Sequence, residues 1–392
     1  MRSTNTPALP RDLYVISIGA FLFQLTECIV QPILTLYLLE LGATKFQVGL
    51  VLSIQSLSII LLRIPLTLIA RRVGERRWLG GAFLIQTTTY ILYSLVRRLE
   101  WFYLIPFFQV IATGAFNQIS MSLVSNMAPT DRQGDALGRY MTIFSMGRFI
   151  GPMICSGLVI YMSYRHLFLI SALFPIVGLI LFYIGGSRGV NPRIKVNSHR
   201  PNSLKSLRRV LKERNMVILS IIRTSYSMSN MILNTLFAIY ATQELGLSSS
   251  VVALLFSVIG FTNAFIKLPA GWLSDRLGGR RVLLITYGII IFDYLGIAYA
   301  KNFVSMVVLL TIFGVCWGTR AVTELAFLGK TVSPEIKSLA ISYLSTFWGI
   351  GSTLGSYLAG SAADVLSYST IFILAALINL PAVLAIHFMK ED

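Results

Sequence analysis

The sequence predicts an all-α membrane protein whose twelve transmembrane helices form two pseudo-symmetric six-helix bundles. Three observations lead to this prediction: an apolar composition, apolar segments of membrane-spanning length, and an internal repeat. Hydrophobic residues make up 55% of the 392 residues and charged residues only 12%, whereas a soluble domain carries about 25% charged residues. This composition excludes a cytosolic enzyme, a disordered chain and a disulfide-stapled secreted domain, and it indicates a protein embedded in lipid.

Twelve apolar segments follow one another with short polar gaps, and each has about the 20 residues that cross a bilayer. The first segment contains Glu27 and no small-residue cleavage site follows it, so it is predicted to be a membrane helix rather than a signal peptide. The predicted spans are 13–39, 46–70, 78–97, 101–127, 137–162, 166–186, 216–242, 250–273, 281–300, 303–329, 338–360 and 366–389.

The basic residues are distributed unevenly between the two sides of the predicted membrane. An even number of spans puts both termini on one side, and the loops and tails of that side hold 23 of the 33 Lys and Arg residues, against five on the other side. Positively charged loops stay in the cytoplasm, so both termini are predicted to be cytoplasmic in a multi-pass protein of the cell membrane. The formal charge of +17 therefore reports topology, and no nucleic-acid partner is expected.

The two halves of the chain resemble each other when one is shifted by 204 residues. Glu40-Leu41-Gly42 falls on Glu244-Leu245-Gly246, and residues 40–77 alone give 11 identities in 38 positions. Two similar halves around a central site can rock against each other and expose that site to each side in turn. The predicted domains are an N-terminal bundle (1–186), a basic cytoplasmic linker (187–215) that lies on anionic lipid headgroups, and a C-terminal bundle (216–392).

Polar residues at helical spacing mark one face of the first, fourth, seventh and tenth predicted helices. In lipid such a face must meet protein or water, so these four helices are predicted to enclose a polar chamber. Arg148 of the fifth helix is added as a charge that could meet a substrate. The candidate proton and substrate sites are Gln24, Glu27, Gln31, Gln109, Thr113, Asn117, Arg148, Arg223, Tyr226, Asn230, Asn234, Trp317, Arg320 and Glu324.

Glu27 has no opposite charge within its own helix. Because burial penalises the charged form of a carboxylic acid, Glu27 is predicted to exchange a proton near neutral pH. The alternative is a structural ion pair with Arg148 or Arg223. Arg320 and Glu324 stand four residues apart and either bind substrate or neutralise each other along their helix, and the amides either bind substrate or tie helices together.

Three further charges within the spans are treated separately. Arg63 and Lys267 occupy equivalent positions near predicted cytoplasmic helix ends and are predicted to extend to the headgroups. Asp293 lies in the middle of the ninth span, and no role is assigned to it. Without Arg63 and Lys267 the spans hold three basic and three acidic residues, so this count leaves the sign of the substrate open.

Several classes of chemistry have no signature in the sequence. The three cysteines and three histidines do not cluster, so no metal or other cofactor is predicted. The phosphate loop Gly-x-x-x-x-Gly-Lys-Ser/Thr is absent, so ATP is not expected to be the direct energy source. Because no nucleophile and base come together within the spans, no catalytic residue is predicted and the chain is not expected to be an enzyme.

The most specific motif lies between the eighth and ninth spans and resembles the loop signature of the major facilitator superfamily. The resemblance to that family extends over nearly the whole chain and implies its fold. In the family, the Asp and Arg of this motif are understood to latch the cytoplasmic helix ends through charge-assisted hydrogen bonds in the outward-facing state. The latch candidates are Gly271, Asp275, Arg276, Gly278, Arg280 and Arg281, with Arg72, Gly74, Arg76 and Arg77 in a first-half copy that has Thr67 and Arg71 in place of Gly and Asp.

Gly147, Gly151 and Pro152 resemble the glycine-proline motif of the drug and proton antiporters of that superfamily. Small residues at a spacing of four allow close helix packing. The arginine that these antiporters tend to carry four residues before a glycine in the fourth span is replaced by Val110 here, before Gly114.

The resemblance implies a secondary active transporter that moves a small molecule by alternating access. Proton-coupled efflux of a drug-like or amphipathic solute is the leading hypothesis, with protons and membrane lipids as further partners and a monomer as the expected state. One alternative is uptake or facilitated transport of a sugar or organic anion. Another is a membrane sensor that has kept the fold and lost transport.

Overall fold

The computed structural model describes residues 11–128, 132–185, 213–332 and 337–389, and within these ranges the chain is helical without strands. Each of the twelve predicted spans coincides with a helix, and the last span is divided into two. The predicted linker 187–215 lies almost wholly outside the described residues. The helices are α1 (Arg11–Glu40), α2 (Lys45–Val73), α3 (Glu75–Leu95), α4 (Ile105–Met127), α5 (Gln133–Leu158), α6 (Tyr164–Gly185), α7 (Arg214–Gln243), α8 (Ser249–Leu277), α9 (Gly279–Tyr299), α10 (Phe303–Thr331), α11 (Lys337–Ala363), α12 (Tyr368–Leu377) and α13 (Leu380–His387).

Local sequence explains where helices begin and end. Thr44 caps α2 in a capping box with Gln47, and Ser248 caps α8 by accepting a hydrogen bond from the Val251 amide. The division of the last span follows from Pro381, which lies at the start of α13 and has no backbone N–H to continue the hydrogen bonding of α12. We call the side on which α1 begins the terminus side, and the other the far side.

The internal repeat is visible in the backbone. The bounds of α2 and α3 reappear in α8 and α9 after a shift of 204 residues. The four described glycines with positive φ, Gly42, Gly74, Gly246 and Gly278, form two pairs with the same shift. Only glycine adopts this conformation without strain, so both halves turn at equivalent points. This agreement confirms two pseudo-symmetric bundles.

Nine of the described helical segments are long and apolar enough to cross a membrane. Three further helices, α3, α5 and α11, coincide with spans predicted from the sequence. Small and hydroxylated residues lower the hydropathy of α5 and α11. These residues suit both helices to close packing against neighbouring helices. The count of twelve spans is consistent with this arrangement.

Each half contains a close helix crossing at an equivalent place, α1 against α5 and α7 against α11. A Cβ on Gly151 of α5 would overlap the backbone of Cys28, and a Cβ on Gly355 of α11 would overlap the backbone of Met228. Gly147 likewise lies against the Leu25 amide of α1. The glycines that the sequence marks for helix packing therefore lie in helix contacts, next to Pro152 inside α5.

The two halves meet through α2 with α11 and α5 with α8. On the far side the first pair is in backbone contact, since a Cβ on Gly49 would overlap Ser356 and Gly360. The Ser53 hydroxyl donates to the Thr353 carbonyl at 3.0 Å. Toward the terminus side the same two helices diverge around a cavity. The structure is therefore closed on the far side and open on the terminus side.

We expect Gly260→Val to shift the protein away from this conformation. A Cβ on Gly260 of α8 would overlap the Arg148 carbonyl of α5, so the far side could not close. In a cysteine-free background, Tyr343→Cys reports access to the terminus-side cavity, and its labelling by a maleimide should fall severalfold. Gly288→Val is the matched control, because a Cβ there meets nothing within 4 Å. Unchanged labelling in Gly260→Val would contradict the role of this contact.

Candidate functional site

The candidate site begins where α1 and α7 meet between the halves. The Gln31 amide donates to the Asn234 side-chain oxygen at 2.8 Å, and the Asn234 amide donates to the Asn230 carbonyl at 2.8 Å and to its side-chain oxygen at 3.1 Å. Predicted polar residues from both halves thus form one hydrogen-bonded line. Two of the four stripes inferred from the sequence are brought together here.

Glu27 is half-buried on α1 and lies near Arg148, Gln109 and Gln86. Among the described residues neither of its suggested ion pairs forms. Gln109 belongs to a wider network, since it donates to the Tyr90 hydroxyl at 3.3 Å and accepts from Gln55 at 3.2 Å. Within the part of the chain that the structure describes, Glu27 is therefore a carboxylate with polar neighbours and no direct ion pair.

Arg148 of α5 reaches across to the other half. Its guanidinium lies 5.2 Å from the centre of the Trp317 ring of α10, within the range of a cation–π interaction. On α8, the Lys267 ammonium donates to the Ser145 hydroxyl of α5 at 3.4 Å and lies close enough to Arg148 to interact electrostatically. Arg148 therefore lies between an acid of one half and an aromatic ring of the other.

In the C-terminal half, Glu324 accepts from two arginines. Arg320 donates at 2.5 Å and Arg223 at 3.2 Å, and the side chains of Glu324 and Arg320 are 1% and 2% exposed. The Tyr287 hydroxyl also donates to Glu324, at 3.4 Å. The suggested neutralisation of Arg320 by Glu324 is therefore present, and Arg223, which the sequence did not connect to it, completes a three-residue network.

Aromatic rings surround this network. The Arg320 guanidinium lies 3.9 Å from the centre of the buried Tyr226 ring and 5.3 Å from that of Trp348, and Arg223 lies 5.9 Å from Trp348. Trp348 is not among the residues predicted from the sequence, although Ser345, Trp348 and Ser352 follow one another at steps of three and four along α11. This spacing of hydroxylated residues around an aromatic ring is a signal that could have indicated it, since Ser352 lies in hydrogen-bond contact with Ser227 of α7 at 2.7 Å.

A cavity of about 840 Å³ opens beside this network between α2 and α11. Arg63 is in its wall, where its Nε donates at 2.7 Å to the Gln118 side-chain oxygen when that amide is oriented toward it. The predicted extension of Arg63 to the headgroups is therefore wrong, and so is that of Lys267, which bonds to Ser145. Both side chains are drawn inward because polar partners on the facing helices lie within reach.

The other candidates from the four stripes are placed less centrally. Gln24 is 6% exposed, donates to Cys28 Sγ at 3.0 Å and lies against Gly147 of α5, so it is part of the α1–α5 packing. On α4, Thr113 is half-buried and Asn117 is exposed. The structure thus adds α2 and α11 to the four helices inferred from the polar stripes.

The motif residues occupy the terminus-side ends of α2, α3, α8 and α9. Arg276 lies 3.9 Å from the Trp272 ring centre, and Arg280 donates to the His387 carbonyl at 2.6 Å. In the first half, Arg76 lies 5.8 Å from the Tyr183 ring centre. Gly271 is half-buried next to Val322. The remaining side chains of the motif, Arg72, Arg77, Asp275 and Arg281, are exposed, and their latch role stays a prediction.

Asp293 of α9 is 3% exposed, and neither of its oxygens has a hydrogen-bond partner among the described residues. A buried charge without a partner is costly. We expect Asp293→Asn to be at least as stable as the wild type, because the amide has nearly the same shape and removes a charge that has no partner among the described residues. Thermal unfolding of the purified protein, followed by tryptophan fluorescence, measures this. A midpoint lowered by many degrees would show that the carboxylate has a stabilising partner.

The chain is similar to known membrane transporters over most of its length. The sequence profile of the Major Facilitator Superfamily matches residues 16–319 and, in a second match, 219–392. An uncharacterised transporter of this superfamily from Methanocaldococcus jannaschii is 23% identical over 95% of this chain and 96% of its own length. The multi-drug resistance efflux pump PmrA of Streptococcus pneumoniae is 22% identical over 92% of this chain and 91% of its own length.

Among solved structures, a mutant of the nucleoside transporter NupG superposes with a TM-score of 0.79 over 97% of this chain and 99% of its own, at 16% identity. A likeness at this identity shows the fold. The agreement extends over both halves, so the arrangement of the two bundles is shared and not only the bundle itself.

Proposed function

This chain belongs to the major facilitator superfamily, and from that premise we propose that it exports an amphipathic small molecule in exchange for protons. The observation that carries the proposal is the position of Glu27. It is a half-buried carboxylate without an ion pair among the described residues, and it lies near Arg148, which contacts Trp317 of the other half. A proton on this group changes the charge at the contact between the halves.

The proposed coupling follows from electrostatics. When Glu27 is ionised, its negative charge attracts Arg148 toward α1. When Glu27 is protonated, that attraction is lost, and Arg148 keeps its contact with Trp317 of the other half. Proton binding therefore shifts the balance of Arg148 between the two bundles, which is the kind of local charge change that biases a two-state element.

The orientation of the cycle rests on the distribution of basic residues. With both termini in the cytoplasm, the terminus-side opening faces the cytoplasm, and the structure is inward-facing. In that state substrate enters the cavity and Glu27 releases its proton inward. Opening of the far side then releases substrate outward and lets a proton bind. The motif around Asp275 is proposed to hold the terminus side closed during that step, and a single chain is sufficient for the cycle.

The choice of efflux over uptake is supported by two features. The relative from Streptococcus pneumoniae is named as a multi-drug resistance efflux pump. The Gly147, Gly151 and Pro152 arrangement, which resembles that of drug and proton antiporters, lies in the α1–α5 contact next to Glu27. Neither feature names a solute.

Flux in vesicles tests the proposal. The purified chain is reconstituted into liposomes, a pH gradient is imposed, and movement of lipophilic cations, sugars and organic anions is followed. We expect an amphipathic solute to accumulate on the acidic side and to redistribute when an ionophore collapses the gradient. Transport that is equal with and without the gradient would contradict proton coupling and favour facilitated movement.

A further inference from the structure

We propose that the cavity between α2 and α11 binds an amphiphilic anion, with its charged group between Arg63 and Arg223 and its apolar part against the cavity wall. This inference rests on the proposed function, because it names the class of solute that the transporter carries. It depends on where the charged side chains of the spans lie in three dimensions. Four observations support it: a charge imbalance, the proximity of two arginines, an apolar wall and the cavity's size.

The space between the halves holds more basic than acidic groups. Arg320 and Arg223 share the single carboxylate of Glu324, and Arg148 lies near Glu27 but forms no ion pair within the described part of the chain. Arg63 and Lys267 face the same space, and among the described residues neither forms an ion pair. Five basic groups therefore stand against two carboxylates.

Asp293 does not correct this imbalance. Its two oxygens have no partner among the described residues, its side chain is buried on α9, and α9 packs against α10, α12 and α13. Asp293 thus lies behind the network rather than at the contact between the halves. With Arg63 and Lys267 counted among the inward charges and Asp293 set apart, positive charge is in excess between the halves, and Arg63 brings it to the cavity wall.

Arg63 lines the cavity, and Arg223 of the other half lies 5.9 Å from the ring centre of Trp348, which lines it too. The two guanidinium groups are close enough to repel each other. Arg63 bonds to the neutral amide of Gln118, and the Nε of Arg223 is buried without a hydrogen-bond partner among the described residues. Unbalanced charge in a low-dielectric region is costly. An anionic group bound between the two guanidinium groups would relieve their repulsion and accept charge-assisted hydrogen bonds from them. A bound cation would increase the repulsion.

The rest of the cavity suits an apolar body. Ile60, Ile64 and Leu68 of α2 face Leu339 and Tyr343 of α11 across it. A volume of about 840 Å³ lies within the range of about 300–1,000 Å³ that is usual for drug-sized ligands. The site therefore combines one charged position with an extended apolar surface, which is the shape of an amphiphile.

Two shape-matched ions test the sign of the charge, tetraphenylborate and tetraphenylphosphonium. Each is titrated by calorimetry into the purified full chain in a neutral detergent, and the same titration into empty micelles is subtracted. We expect tetraphenylborate to bind at least about tenfold more tightly than tetraphenylphosphonium, because two guanidinium groups attract the anion and repel the cation. Equal or tighter binding of the cation would overturn the proposal.

Three variants assign the effect to Arg63. Arg63→Gln should weaken tetraphenylborate binding by about tenfold, and Arg63→Lys, which keeps the charge, should restore most of it. Arg98→Gln is the matched control, because Arg98 is exposed on the far side and its loss should change nothing. Size-exclusion profiles confirm that each variant is folded. Full-strength binding by a folded Arg63→Gln would overturn the site.

The same anionic chemistry could belong to a lipid headgroup or to a soluble amphiphile. Nanodiscs of phosphatidylglycerol or phosphatidylcholine distinguish the two sources. If a lipid occupies the site, phosphatidylglycerol competes and weakens tetraphenylborate binding more in the wild type than in Arg63→Gln. If a soluble amphiphile is the natural occupant, the two lipids weaken both proteins equally. Tetraphenylborate binding that is independent of Arg63 in both nanodiscs would overturn the proposal.

The calorimetry needs no gradient, so its failure differs from failure of the proposed function. Arg63-dependent anion binding without pH-driven flux would contradict proton-coupled export alone. Conversely, pH-driven flux of tetraphenylphosphonium by a chain that does not bind tetraphenylborate would contradict the anionic class alone.

Discussion

The Glu27→Gln variant is expected to reduce pH-driven flux to the level of protein-free vesicles while the protein still folds. Glutamine keeps the shape and hydrogen bonding of a protonated glutamate but cannot release a proton. The side chain at position 27 would then stay neutral, so it could no longer attract Arg148 in one part of the cycle and release it in another. The measurement is solute accumulation in proteoliposomes under an imposed pH gradient, compared at equal amounts of reconstituted protein.

Exchange of solute across the membrane without a gradient should continue in the same variant, because a permanently neutral side chain mimics one of the two states of Glu27. Glu40→Gln is the matched control, since Glu40 ends the same helix and is exposed. It should transport as the wild type does. If Glu27→Gln accumulates solute with an unchanged dependence on pH, Glu27 is not the proton carrier.

The largest effect on stability is expected from Glu324→Gln. This change leaves Arg320, which is 2% exposed, and the partly buried Arg223 without their shared carboxylate. Removal of one partner from a buried ion pair costs about 3–5 kcal/mol. We expect a large fall in the thermal midpoint and in the yield of monodisperse protein, measured by tryptophan fluorescence and size-exclusion chromatography.

Double substitution separates the loss of the pair from the loss of the side chain. Arg320→Gln combined with Glu324→Gln removes one charge of each sign, so it should be more stable than Glu324→Gln alone. Arg320→Gln alone completes the cycle, and a double-variant effect that differs from the sum of the two single effects is the signature of a direct interaction. A Glu324→Gln variant that unfolds at the wild-type temperature would show that the network adds nothing to stability.

Much of the fold could be predicted from the sequence because lipid imposes simple rules on it. Spans, termini on one side and a repeat of 204 residues follow from hydropathy, basic loops and identities such as Gly42 with Gly246. The break between α12 and α13 was not predicted, since a hydropathy window averages over Asn379 and Pro381. That break depends on local backbone chemistry and not on the apolar content of the segment.

The candidate site could be predicted only in part. Helical spacing places Gln31 and Asn234 on polar faces of two helices that are predicted to share one chamber, and in the structure the two side chains are hydrogen-bonded. It cannot decide which acid pairs with which base: the sequence offers Arg223 as a partner of Glu27, whereas the structure pairs it with Glu324. Arg63 was placed at the headgroups because its distance along α2 permits this. Its true direction is set by Gln118 of another helix, a contact that no pattern within one helix contains.

The far-side closure has a consequence for how the protein responds to ionic strength. Gly49, Gly360 and Gly260 close it through backbone contact, aided by the Ser53 hydroxyl, and dissolved salt does not screen forces of this kind. At the opposite end, the motif around Asp275 and Arg276 carries exposed charges whose attraction weakens over a Debye length of about 8 Å at physiological salt. If this motif holds the terminus side closed, as proposed, added electrolyte should favour opening on the terminus side.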